Sequence, residues 1–167
     1  MVSDFDEADA IGGLPRVRFG AGWETSSDSA AGGASSVSLQ VVRGGAGGTP
    51  GALRVRGILR PGARVRYAGA EFRPGSTPAL GANLSAFKGL RFRARGDGGE
   101  YRVYLYGVTG SAPIARLDFR AGPEWAVVDL SFAESGIDGR GLRRILIAAL
   151  DDPRTFAFLI DDVRLYR

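Results

Sequence analysis

The sequence predicts an all-β protein, an antiparallel β-sandwich or jelly roll, and three observations carry that reading. Apolar and polar residues alternate with period 2 in short runs, the spacing that turns one side of a strand to a core and the other to water. Glycine and proline clusters interrupt the runs at 44–51, Pro61-Gly62, Pro74-Gly75 with Pro78, and Gly122-Pro123. No segment repeats its apolar residues at helical spacing, and only Phe132 to Gly136 leaves room for a helical turn. Short strands separated by turn signals fit a sandwich and not a βαβ fold. The 167 residues read as one domain, 1–167, without internal repeats. A chain of this length buries about 70% of its unfolded surface and folds without staples.

In order, the strands are expected at Phe19 to Glu24, Ser36 to Val42, Ala52 to Leu59, Arg64 to Phe72, Leu90 to Arg95, Tyr101 to Gly107, Ile114 to Phe119, Trp125 to Leu130, Arg143 to Ala149 and Phe156 to Tyr166. The fifth and sixth alternate most strictly. Leu90, Phe92 and Ala94 point one way and Arg91, Arg93 and Arg95 the other; Tyr101, Val103 and Leu105 oppose Arg102, Tyr104 and Tyr106. Asp97-Gly98-Gly99 between them supplies the positive φ of a tight hairpin, so the two strands are expected to be neighbours. The glycine-rich stretch 43–51 leads into a strand and not a helix, and it lacks a Lys-Ser/Thr pair. It therefore reads as a mobile hairpin loop and not as a phosphate cradle.

Composition removes whole classes of chemistry. Cysteine and histidine are absent, so there is no disulfide, thiolate nucleophile, imidazole base or Cys/His metal site. The excess of four positive charges is almost wholly arginine, because Lys88 is the single lysine among 22 basic residues. Arginines interspersed with acidic residues along strands read as a solvated surface, and no nucleic-acid groove is expected. No apolar run approaches the ~20 residues that span a bilayer, and Met1-Val2-Ser3-Asp4 does not open a signal peptide. The chain is expected to be soluble, either intracellular or cut from a longer exported protein. Asn83-Leu84-Ser85 matches a glycosylation sequon, to which nothing else in the chain gives weight.

A series of features runs in order along the chain: Trp23; Asp28 with Gly32-Gly33 and Ser35-Ser36; Ala52 to Val55 and Gly57; Tyr67 to Ala70 with Phe72 and Pro74-Gly75; Leu84-Ser85 with Phe87 to Leu90; Ala94 to Gly98 and Tyr101; Gly122 to Trp125; and Phe158 with Ile160 to Leu165. In this order the sequence resembles the complex I intermediate-associated protein family, a galactose-binding-like β-sandwich near the family 11 carbohydrate-binding modules. It resembles in particular the C-terminal modules of bacterial amidohydrolase-type proteins, which are usually exported. No amidohydrolase domain is present here, so hydrolysis is not implied. The resemblance implies either an accessory module for a polysaccharide or other glycan, or a module that docks on a partner protein domain or assists assembly. Fold alone does not choose between them.

The residues offer candidates for each reading. Arg102, Tyr104 and Tyr106 project from one side of one strand, where rings suit the C–H faces of a sugar and arginine its hydroxyls; Arg91, Arg93, Arg116 and Asp118 are expected to flank them. The alternative is that the tyrosines pack under a loop with their hydroxyls at its rim. Trp23 and Trp125 are expected in the core or beneath a loop. In sandwiches of the resembled type the first and last strands are adjacent and often hold a structural Ca2+ ion, which implies Asp4, Asp6, Asp161 and Asp162 as ligands; those carboxylates can instead bond backbone amides or pair with Arg164. The remaining carboxylates, Glu71, Asp97, Glu100, Asp118, Asp129 and Glu134, show no pair set for glycoside hydrolysis, so no catalysis is expected.

Overall fold

The computed structural model describes residues 1–7, 12–13, 17–77 and 79–167. Pro78, one of the turn signals, lies outside them. The strands are β1 (Gly22–Ser27), β2 (Ser36–Arg43), β3 (Gly51–Leu59), β4 (Tyr67–Arg73), β5 (Gly89–Gly96), β6 (Glu100–Gly107), β7 (Ala115–Arg120), β8 (Ala126–Ser131), β9 (Leu142–Leu150) and β10 (Arg154–Tyr166). They form two five-stranded antiparallel sheets, β1-β4-β9-β6-β7 and β2-β3-β10-β5-β8. Between them lies a core that includes Phe72, Phe92, Leu53, Leu105, Ile147 and Phe158. Among the described residues no helix is long and apolar enough to cross a membrane.

Alternation explains most of this. On β6 the burial follows the sequence residue by residue, with Tyr101, Val103 and Leu105 buried and Arg102, Tyr104 and Tyr106 half-buried on the opposite side. β1 starts later than the sequence suggests, at Gly22. Phe19 lies before it and caps the core edge-on against Phe72, with ring centroids 5.4 Å apart. A 3-10 turn forms at Asp28–Ala31, while the 132–136 segment is a hydrogen-bonded turn and not a helix. Asp28 is fully buried and accepts hydrogen bonds from the Ser35 amide (3.0 Å) and hydroxyl (2.7 Å), clamping the β1–β2 connection. A Cβ at Gly33 would fall 2.2 Å from the Asp28 carboxylate, so only glycine passes there.

The expected β5–β6 hairpin does not form. β5 pairs with β10 and β8 in one sheet, β6 with β9 and β7 in the other, and the Asp97-Gly98-Gly99 turn carries the chain between sheets. The two apolar faces are satisfied by meeting across the core, which side-by-side pairing would not achieve. Asp97 fixes the corner by accepting from the Gly99 amide (2.8 Å), the Tyr101 hydroxyl (2.7 Å) and the Ala157 amide of β10 (3.0 Å). Burial alone would raise the Asp97 pKa, but the hydrogen bonds from Ala157, Tyr101 and Gly99, helped by Arg154, hold it below the usual carboxylate value.

The loop at 43–51 does join β2 to β3 as a hairpin, but it is tied down and not mobile. Ala46 and Gly45 are buried, and Asp161 on β10 accepts from the Ala46 amide (2.7 Å) and the Thr49 hydroxyl (2.9 Å).

Candidate functional site

The outer face of the β1-β4-β9-β6-β7 sheet collects the chemistry. Pairing places Tyr104 opposite Leu146 and Tyr106 opposite Arg144, Glu71 opposite Leu146, Glu24 opposite Glu71, and Arg102 opposite Asp118. Leu146 and Ala148 point to this face yet are only 2% and 0% exposed, because the larger side chains roof them. Arg102 is held by Asp118, with one leg at 3.1 Å, and donates to the Tyr104 hydroxyl at 3.0 Å. This hydrogen-bonded pair keeps the Asp118 carboxyl below its usual range and the Arg102 guanidinium above its own. The Tyr104 and Tyr106 rings lie 6.1 Å apart at 53°, and the Arg144 guanidinium sits 3.8 Å over the Tyr106 ring. Burial raises the Tyr106 hydroxyl; Arg144 pulls against it, while Tyr104 and Tyr67 add to it, which brings a third tyrosine into the electrostatics of the face.

Glu71 forms the base of this face. It is 1% exposed, with Arg73 Nη2 at 2.8 Å and Arg144 Nη1 at 3.6 Å. Its pKa is raised because burial outweighs the pull of Arg144, Ser26 and Arg73. Despite the ion pairs, Glu71 Oε1 and Arg144 Nε are buried without a well-directed hydrogen bond. Buried polar atoms in that state are unusual. At one end of the face a cavity of about 290 Å³ opens between Glu100, Arg102, Asp118, Leu150, Asp151 and Arg154.

Of the residues expected to form this site, Arg102, Tyr104, Tyr106, Arg116 and Asp118 do share the face. Arg91 and Arg93 do not. They lie on β5 in the other sheet, where Arg91 pairs with Asp129 and stacks 4.7 Å over Tyr166, and Arg93 is 4.0 Å from Asp162. The failed hairpin is the cause. Sequence reasoning missed Tyr67, Arg73 and Arg144, and weighed Glu71 only as a catalytic carboxylate. Period-2 parity on β4 marks Tyr67, Glu71 and Arg73 as outward, but β9 reads LRRILIAAL, where near-continuous apolarity hides the face on which Arg144 stands.

Trp23 is a core residue, 6% exposed, and donates its indole N–H to Ser3 Oγ at 2.9 Å. Trp125 is half-buried on the other sheet with Arg95 5.0 Å over its ring.

Of the four aspartates expected at a Ca2+ ion, Asp6 comes close enough to Asp161 to repel its charge, while Asp4 and Asp162 are drawn to arginines. The N-terminal segment does meet the last strand, through a Ser3–Val163 bridge. Yet Asp4 pairs with Arg18 at 2.5 Å and Asp162 with Arg164. Asp6 accepts from the Gly51 amide at 3.1 Å, while Asp161 accepts from Ala46, Thr49 and, at 2.6 Å, the Asp162 amide. Three guanidiniums, those of Arg18, Arg93 and Arg164, and four N–H or O–H donors approach these oxygens, and among the described residues no three His, Cys, Asp or Glu form a metal-binding group. Most carboxylate oxygens of this set already accept from a donor, whereas a Ca2+ ion asks for ~6 to 8 oxygens. Adding EDTA is expected to leave the melting temperature within about 1 °C, since an ion that stabilises the fold by mass action would register as a fall of several degrees.

Solved structures with the same architecture exist. The family 11 carbohydrate-binding module of the cellulosomal cellulase Lic26A-Cel5E of Clostridium thermocellum is similar with a TM-score of 0.66 at 16% identity, over 99% of this chain and 92% of that one. The Clostridium thermocellum family 11 module in complex with a β-1,3-1,4-mixed-linked tetrasaccharide gives a TM-score of 0.62 at 16% identity, over 86% and 88%. An exo-β-agarase matches with a TM-score of 0.66 at 12% identity, over 99% of this chain and 24% of that one. At these identities the likeness establishes the fold alone, a β-sandwich of the jelly-roll type. No curated protein sequence matches closely. The family model for Complex I intermediate-associated protein 30 (CIA30) matches residues 16–156, which is most of the chain, and the protein belongs to that family.

Proposed function

We propose that this domain is a non-catalytic binding module that holds a glycan chain across the outer face of the β1-β4-β9-β6-β7 sheet. The observation that carries the reading is the strip of Tyr104 and Tyr106 edged by Arg102, Arg144 and Glu71. Tyrosine rings give flat apolar surface to the C–H side of a pyranose, and guanidinium and carboxylate groups exchange hydrogen bonds with its hydroxyls. The likeness to a module with a bound mixed-linked tetrasaccharide supports this reading. Polysaccharides of that kind lie outside the cytoplasm, and the proposal includes an accessory role in the periplasm or beyond the cell.

Catalysis is not part of it. Glu24 and Glu71 stand opposite each other, but both are tied to Arg73 and share its charge in place of flanking a scissile bond. Asp118 and Asp129 are each committed to an arginine, and Asp97 to the inter-sheet corner.

Affinity electrophoresis through gels containing mixed-linked β-glucan or agarose tests the proposal. Wild-type protein is expected to be retarded by one of them, and Tyr104→Ala and Tyr106→Ala each to lose about tenfold in affinity, the loss of roughly 1.4 kcal/mol of ring contact. Both variants keep their melting temperature within a few degrees, because neither ring belongs to the core cluster. A wild-type protein that ignores a broad glycan array, acidic polysaccharides included, ends the reading.

A further inference from the structure

The opposite side of the sandwich carries a second, independent feature. The strands β2, β3, β10, β5 and β8 hold eight arginines, Arg154 among them, against three aspartates, 129, 161 and 162. The strands of this sheet are thus more strongly positive than those of the other, where six arginines stand against four carboxylates. The impression from sequence that the arginines are dispersed does not survive folding, because parity on β3 and β5 turns Arg54, Arg56, Arg91, Arg93 and Arg95 all outward.

Asp161 is buried in its hydrogen bonds to the 43–51 loop, and Asp129 and Asp162 answer Arg91, Arg164 and Arg93. That leaves Arg43, Arg54, Arg56 and Arg95 without a carboxylate partner among the described residues. Arg43, Arg54 and Arg95 line one groove of about 560 Å³ together with Pro123, Ala157 and Leu159. On β8 of the same sheet, opposite Arg93, Val127 is 54% exposed.

We propose that this face docks an acidic protein surface, carboxylate-rich at its rim and apolar at its centre. Charge complementarity selects the sign of the partner. The apolar residues of the face select its class, because Leu159 and Val127 need apolar counterparts that a polyanionic backbone of sugar or phosphate does not supply. A nucleic acid would seek open aromatic faces for its bases, and here the two aromatic residues are roofed by guanidiniums, Tyr166 by Arg91 and Trp125 by Arg95. Stacking on Trp125 also holds the Arg95 guanidinium in place, which lowers the entropy lost on docking, while Arg91 stays committed to Asp129. Five strands ~4.8 Å apart and six to thirteen residues long present roughly 550–700 Å² in projection, the scale of one side of a standard interface once side-chain relief is included.

The chain has two tryptophans, and Trp23 is 6% exposed, so fluorescence change on titration reports Trp125 at the edge of the groove. The probes are a synthetic peptide of alternating Glu and Leu, heparin, and a single-stranded DNA oligonucleotide, each at about 50 and 200 mM salt. The peptide is expected to bind saturably, more weakly at the higher salt, and to lose at least tenfold in affinity to Arg54→Glu/Arg95→Glu while Tyr104→Ala leaves it unchanged. If circular dichroism shows the double variant unfolded, exposed Arg56→Glu serves, with an expected loss of about threefold. Heparin or DNA binding without peptide binding overturns the proposal in favour of that polyanion. So does no peptide binding at the lower salt, or binding indifferent to the charge reversals. None of these outcomes touches the glycan reading, which rests on the other sheet.

Discussion

Phe158→Ala is expected to lower stability by about 4 kcal/mol, the largest effect of any single side-chain truncation considered. Phe158 is 1% exposed and sits where the aromatic residues of the core converge: its ring centroid lies 4.3 Å from Tyr101, 6.3 Å from Phe156 and 6.4 Å from Phe119. These neighbours come from β6, β7 and β10, so the ring joins both sheets. On β10 it also faces Val55 of β3 and Gly96 of β5 in the ladder, at the centre of the second sheet. Strands paired on both sides cannot shift to fill a void, and the cavity term therefore stays near its full size. For a chain of this length each kcal/mol is ~2–4 °C, so the melting temperature is expected to fall by roughly 8–16 °C. Phe158→Leu, which keeps most of the volume, costs less than half as much. Urea unfolding of the three proteins decides it, and a loss below about 1 kcal/mol for the alanine variant would mean that the core is not closed around this ring.

Asp161→Ala is expected to cost about 3 kcal/mol by a different route. The carboxylate, 1% exposed, gathers the Ala46 amide, the Thr49 hydroxyl and the Asp162 amide, joining the glycine-rich loop to the last strand across 115 residues of sequence. Alanine leaves these donors buried without acceptors, at about 1–3 kcal/mol for each that water cannot reach. Burial outweighs the three hydrogen bonds and holds the Asp161 carboxyl above its usual range. The native state therefore binds this proton more readily than the unfolded chain does. Stability falls as pH rises from the unfolded value near 3.9 through the raised native one, and is level above it. Removing the carboxylate removes that part of the slope. Urea unfolding of wild type and variant between about pH 3.5 and 7 reads both quantities, and a variant as stable as wild type at every pH would show that the loop needs no anchor.

How far the sequence reaches is clearest in β6. Alternation there is a property of one strand, and the split between Tyr101, Val103 and Leu105 inside and Arg102, Tyr104 and Tyr106 outside follows from six consecutive residues. The same local rule placed every strand to within a few residues, and the missing histidine and cysteine bounded the chemistry before any fold was known.

The sequence by itself thus determined that the protein is a β-sandwich and which side of most strands meets water, because both depend on a two-residue period that each segment carries alone. Only the tertiary structure decided which strands lie side by side. That choice separated Arg91 and Arg93 from Tyr104, brought Glu71 and Arg144 to the tyrosines from strands 30 to 70 residues apart, and gathered the arginines of β3 and β5 onto the other face. Strand order is set by how two apolar surfaces close on each other, and that is a property of the whole chain.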